Sequence, residues 1–246
     1  MKYSPAFFAK KMPKEKWDSI PFVCKVFFRP IAFLFSSLFA SLGFSANAVS
    51  LLNFLVALAS CALLCFDKTC AIVSASLFCV WVLLDNVDGN IARCIKKKPF
   101  GGFFDAISGY VFGGLYLLFF GYYLKNNPGS LINPFFLDPV LLGGLVSSSF
   151  VLLLLFNKKY SESKTNSPSE TGENNRKLFS PLRLALFLVN EFSYGGLMPV
   201  LFLFSIVFSF SDLMFACYCF FYFCLAATGI LFLIARGVAA GYSKGE

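Results

Sequence analysis

The chain has 246 residues, of which 58 % are hydrophobic, 14 % charged and 34 phenylalanine, a composition foreign to a soluble globular domain. It carries a formal net charge of +8 and no histidine. Histidine-ligated zinc, Ser-His-Asp triads and imidazole proton shuttles are thereby excluded, and acid-base or metal chemistry falls to carboxylates.

The first nineteen residues, MKYSPAFFAKKMPKEKWDS, are basic but lead into neither a short apolar core nor a small-residue cleavage site, so they read as mature sequence. Residues 20 to 44 hold Lys25, Arg29 and Pro30 ahead of IAFLFSSLFASLGF. They predict an amphipathic helix lying along the membrane interface with its cations among the headgroups. Apolar runs of about 20 residues, the length a helix needs to cross a bilayer, then recur at 46–66, 70–90, 102–124, 138–157, 195–211 and 213–236. The expected fold is all-α: a polytopic membrane protein of six transmembrane helices plus the N-terminal interfacial helix. Residues 1–45 form the cytoplasmic N-terminus and 46–240 one membrane domain.

Between the last two spans Ser211 and Asp212 are the only polar break, which predicts a tight helical hairpin. The stretch SESKTNSPSETGENN, 161–175, is polar enough to be a mobile cytoplasmic connector, and 181–196 resembles a second interfacial helix that stops at a glycine pair. With the N-terminus inside, every Lys and Arg except Lys68 and Lys125 falls on the cytoplasmic side. The positive charge therefore belongs to the membrane surface, and no nucleic-acid partner is expected. The nine cysteines lie mostly in apolar stretches, form no CxxC pair and serve as small hydrophobic filler.

Ionisable groups within a span demand a partner or a function. The second span presents Asp85, Asp88 and Arg93 after a long uncharged stretch, and the third opens on GGFFDAISGYVFGG with Asp105 in its first turns. Asp85 and Asp88 share one helical face, and the hairpin returns Asp105 to the same depth. Three converging carboxylates call for a hard divalent cation, Mg²⁺, Mn²⁺ or Ca²⁺. Gly89 lets a ligand approach the backbone, and Arg93 with Lys96, Lys97 and Lys98 supplies a positive rim, together suiting a diphosphate.

Asp85-Asn-Val-Asp88-Gly89-Asn-Ile-Ala92-Arg93, then Gly101 and Asp105, resembles the DxxDGxxAR…GxxxDxxxD signature of the CDP-alcohol phosphatidyltransferase family. SANAVSLL at 45–52 is similar to the PNxxT segment opening that family's first span, with Asn47 and Ser50 in the Asn and Thr positions, and an Arg29-Pro30 pair also fits. The resemblance implies Asp85, Asp88 and Asp105 as ligands of Mg²⁺ or Mn²⁺. It places Gly89, Ala92, Arg93, Lys98, Asn47 and Ser50 around the cytidine diphosphate. It further implies transfer of a phosphoalcohol from a CDP-linked donor to a lipid or alcohol acceptor with release of CMP, in phospholipid or surface lipid and glycan synthesis. The setting would be a homodimer whose site and termini are cytoplasmic.

One position departs from the signature: the family's last aspartate, a metal ligand and the presumed general base, is Gly109 here. Loss of a base typically lowers rate by about 10² to 10⁴. Three explanations stand open. The acceptor is already ionised, or substrate oxygen or metal-bound water takes the proton; Glu191, otherwise a solvated or headgroup-facing charge, substitutes as base; or the chain is a degenerate nucleotide-binding subunit. Gly109 and Gly113 also form a GxxxG pair suited to close helix packing. An ion pathway through the aspartates is disfavoured, since no ionisable residue continues it to mid-membrane.

Overall fold

The structure is a computed structural model describing residues 3–95, 101–127, 138–165 and 187–242, with backbone only at 101, 102, 105, 160–165 and 236–242. Among these residues helix is the only regular secondary structure. Two short helices, α1 (Pro5–Lys10) and α2 (Lys14–Asp18), form an arm that leads through a π-helical turn (Cys24–Phe28) into α3 (Arg29–Ser41). Long apolar helices follow: α4 (Ala46–Leu63), α5 (Lys68–Cys94), α6 (Gly101–Asn126) and α7 (Pro139–Thr165). After a short helical stretch at 187–191 come α8 (Met198–Val207) and α9 (Ser211–Tyr242). The polar stretch 161–175 lies outside the described residues from 166 on, as does 181–186 of the expected second interfacial helix.

Among the described residues six helical segments are long and apolar enough to cross a membrane, as expected of an integral multi-pass protein, but the set differs from the sequence expectation. Cys24–Ser41 qualifies with a mean hydropathy of 1.3, whereas the expected fifth span, 195–211, contains a regular helix of only ten residues, Met198–Val207. Ten residues rise about 15 Å, half a bilayer core. The reason for the break is a turn over 192–197, where the Leu197 amide donates to the Glu191 carbonyl at 2.7 Å. Gly196 sits so close that a β-carbon there would lie 2.1 Å from the same oxygen, so only glycine closes the turn. The segment nevertheless traverses the bundle. Asn190 donates to the Ser19 carbonyl at one end, and Ser209 accepts from Lys68, where α5 begins, at the other.

The hydrogen bonds of α3 show how it meets α5. Cys24 meets Asn86, while Arg29 and Ser36 both meet Asn90. Twelve residues of helix, about 18 Å long, thus contact a single turn of α5, so α3 crosses the end of α5 steeply instead of running beside it. That supports the interfacial reading. Gly43, at φ +85°, ends α3 in a left-handed cap, with Phe44 N–H bonded to the Phe39 carbonyl at 2.9 Å. The chain thereby reverses into α4, whose Ser45 hydroxyl caps the Ala48 amide.

The expected hairpin before Asp212 is present. Ser209 adopts φ 62° and Phe210 N–H reaches the Ser205 carbonyl at 2.9 Å, closing α8 just ahead of α9. Within the bundle, Ser60 and Ser74 exchange hydroxyl-to-carbonyl bonds of 2.9 and 2.6 Å between α4 and α5. Where α6 meets α7, β-carbons at Gly121 and Gly143 would each lie 2.2 Å from a carbonyl oxygen of the other helix. These contacts replace a hydrophobic drive that lipid does not supply. The middle of the bundle is filled by rings, with Trp81 stacked on Phe112 at 4.6 Å and Phe78, Tyr116, Tyr194 and Phe202 packed around them.

Candidate active site

The C-terminal part of α5 carries polar residues on more than one face, and each face meets a different element. Toward α4, Asp88 is buried at 5 % exposure and accepts a 2.6 Å hydrogen bond from Ser50 on its Oδ2. Ser50 is only one turn into α4, so this bond joins the SANAVSLL segment to the aspartate motif 38 residues later. Asn47, half-buried, stands in the first turn of the same helix.

On the rim, Arg93 folds back over Gly89. A β-carbon at 89 would stand 3.1 Å from Nη1 and 3.3 Å from Nη2, so any side chain there would press on the guanidinium. Arg93 Nη2 also donates to Asn90 Oδ1 at 3.0 Å. Ala92 is half-buried against the cluster of Val87, Leu84 and Ala46. Lys98 lies outside the described residues, as do Lys96 and Lys97.

Toward the arm, Asp85 is exposed and lines a cavity of about 300 Å³ together with Lys16, Arg29, Asn86, Asn190 and Ser193. The floor includes Trp81, whose indole N–H donates to Ser108 at 2.9 Å and so ties the cavity to α6. Asn86 donates to the Val82 carbonyl at 2.7 Å and faces the Cys24 thiol. Sequence reasoning missed this wall. Asn86 and Asn90, both within the aspartate motif, were the available signal, since amides within an apolar helix imply polar partners from another element.

Asp105 falls in α6, one helical turn ahead of Gly109, but its side chain lies outside the described residues. Gly109 is not a packing glycine. Among the described residues, a β-carbon there would meet nothing within 4 Å, whereas one at Gly113 would come within 2.7 Å of the Phe150 ring. The GxxxG expectation therefore holds at its second glycine and fails at its first, where the space for a side chain is open.

Glu191 is not solvated. It is buried at 6 % exposure, and its Oε1 accepts the backbone N–H of Phe22. With the Asn190 bond to Ser19, this fastens the 190–195 turn to the arm.

Asp85 and Asp88 offer hard oxygen donors one helical turn apart, beside hydroxyl and amide groups, which fits the kind of cation that carboxylates hold. Among the described residues no third acidic, histidine or cysteine side chain joins them. The model for CDP-alcohol phosphatidyltransferase matches residues 44–211, from the end of the α3–α4 turn to the start of α9. No curated protein matches the chain.

Proposed function

We propose, for a chain that belongs to the CDP-alcohol phosphatidyltransferase family, a membrane enzyme whose α5 end binds a CDP-linked alcohol and passes its phosphoalcohol to an acceptor. The family's reaction class is transfer of a phosphoalcohol from a CDP-alcohol in lipid biosynthesis. An acceptor oxygen forms a new bond to the phosphorus that carries the alcohol, the bond to the cytidylyl oxygen breaks, and CMP leaves as the acceptor gives up its proton. The observation that carries this reading is the Ser50 to Asp88 bond, because it assembles the two motif segments into one site.

Asp85, Asp88 and Asp105 would hold Mg²⁺ or Mn²⁺, which neutralises charge on the diphosphate and stabilises the leaving group. Ser50 fixes the Asp88 carboxylate, Asn47 lines the same edge, and Gly89 carries no side chain that would displace the Arg93 guanidinium. Arg93 and Lys98 offset phosphate charge, and Ala92 keeps that wall small. This site faces the cytoplasm, by the distribution of lysine and arginine, and a homodimer is part of the proposal.

The open space beside Gly109 admits water as the acceptor of the proton, with a rate about 10² to 10⁴ below that of a positioned base. Glu191 is the alternative proton acceptor. Its bond to Phe22 favours a role in holding the arm. The degenerate reading rests on Gly109 alone.

The test is CMP release by the purified protein in lipid nanodiscs with Mg²⁺ or Mn²⁺, across a panel of CDP-alcohols and acceptors. Turnover should fall at least about 10²-fold in Asp85→Asn and Asp88→Asn, more than the tenfold to hundredfold typical of losing a partner that only supports a ligand. Unchanged turnover in both variants would defeat the assignment. Among the described residues nothing lies within 4 Å of a β-carbon at position 109, and Gly109→Asp should raise turnover by about 10²-fold or more. Activity found only in that variant would establish the degenerate reading.

A further inference from the structure

Asn90 is buried at 1 % exposure inside the aspartate motif, at a position that the signature DxxDGxxAR leaves open. Its amide meets three other side chains. Oδ1 accepts from Arg93 Nη2 at 3.0 Å and from Arg29 Nη1 at 3.1 Å, which uses both lone pairs of the oxygen. Nδ2 donates to Ser36 Oγ at 3.1 Å.

These bonds have a fixed direction. Ser36, fully buried on α3, gives its own hydroxyl proton to the Ala32 carbonyl at 2.6 Å, so toward Asn90 it can only accept. The amide therefore turns its NH2 to α3 and its oxygen to the arginines; the reverse setting would aim N–H groups at two cations. Arg29 and Arg93 repel each other, and the shared oxygen stands between them. Arg29 is also met by Asp85, which acts on it and lines the same cavity.

Arg93 is the exposed member of this cluster, three residues along α5 from Asn90. Its guanidinium lies over Gly89, on the side assigned to the donor. Immobilising a long side chain on binding lowers affinity about three- to tenfold. An arginine already anchored in the binding orientation avoids that loss.

We propose that Asn90 is a positioning residue: through the series Ala32, Ser36, Asn90 it holds the Arg93 guanidinium over Gly89 for the donor diphosphate, and so ties nucleotide affinity to the seating of α3 on α5. The role deepens the transferase reading and rests on it for the word donor.

The test uses the full-length protein in nanodiscs with Mg²⁺, measuring equilibrium binding of labelled CDP, and KM and kcat for any CDP-alcohol that turns over. Asn90→Ala should weaken CDP and raise the donor KM about three- to tenfold, with kcat changed less. Ser36→Ala leaves both arginines their acceptor but frees the amide to turn, and should weaken CDP in the same direction by a smaller factor. Arg93→Ala should weaken CDP as well. In that background neither Asn90→Ala nor Ser36→Ala should have a further effect, because residues that act through one another are not additive. Ser60→Ala, which removes a bond in the middle of the bundle, should lower the unfolding temperature and leave CDP affinity unchanged.

Additive losses in the Arg93→Ala background overturn the proposal. A fall in kcat with KM unmoved does the same, as does a loss of CDP affinity in Ser60→Ala equal to that in Asn90→Ala, which would mark general loosening. Should Asn90→Ala fail to fold, Ser36→Ala and its combination with Arg93→Ala decide. CDP binding with the non-additive pattern, but without CMP release from any pair, would sink the transferase reading and leave the positioning role standing. CMP release with additive losses would do the reverse, and no CDP binding by the unaltered protein would overturn both.

Discussion

The middle of the bundle and the end that carries the aspartates are built on opposite terms. In the middle, Phe78, Trp81, Phe112, Tyr116, Tyr194 and Phe202 bury large rings against one another. Stability there depends on volume and ring geometry. At the end, Asp88, Asn86, Asn90 and Arg29 are as deeply buried, yet they are held by hydrogen bonds that reach α3, α4 and the π-helical turn. A volume can be filled by several side chains; a polar network admits few substitutes, because each group removed strands another. Changes in the middle should therefore be read in stability and changes at the end in turnover.

Phe112→Ala should break the comparison most visibly. It empties a site that contacts Trp81, Phe78 and Tyr116 and should destabilise the protein by about 3 to 5 kcal/mol, seen as a lower unfolding temperature in detergent. CMP release per folded molecule should persist. If it vanished instead, the rings would belong to the site. Ser50→Ala sharpens the other side, removing the donor to Asp88 while leaving the apolar contacts of α4 in place. Losing a hydrogen bond to a charged group is worth about 1.5 to 3 kcal/mol. Turnover should therefore drop at least about tenfold, and the comparison weakens if only the unfolding temperature moves.

The smallest effect belongs to the far end of the bundle. Lys125 donates to Asp138 at 2.6 Å, and this bond, helped by the Val140 amide, holds the Asp138 carboxyl below the usual carboxylate range. A carboxyl whose folded value is depressed stabilises the fold above its unfolded value, about 3.9, and that contribution is lost as pH falls through the folded value. Acidification from about pH 5 through this window should lower the unfolding temperature slightly, and Asp138→Asn should remove that share of the slope. Turnover measured at neutral pH should not respond to the same substitution.

Local pattern made much of this legible. Hydropathy located the starts of five long helices, α4, α5, α6, α7 and α9, within two residues, because lipid compels every unit of backbone to satisfy itself within its own helix. Spacing placed Asp85 and Asp88 one turn apart on one face, whereas the structure turns Asp88 toward Ser50 of α4 and Asp85 toward the cavity beside the arm. Hydropathy misjudged the stretch 195–211, since an apolar average does not register a turn closed by Gly196 on the Glu191 carbonyl. It also read Glu191 as solvated, because burial beneath the arm depends on Phe22, 169 residues away in sequence.

By itself, the sequence determined that this chain is a helical membrane protein with carboxylates at the end of one apolar helix, and it carried the motif of the family to which the chain belongs. The tertiary structure alone decided that α3 crosses α5, that Asn90 stands between two arginines, that Gly109 faces open space, and that Arg29 borders a cavity. The physical reason is range. Helical period and hydropathy are properties of neighbouring residues, whereas these four features arise from packing between segments tens of residues apart, and no local pattern records which face will meet which.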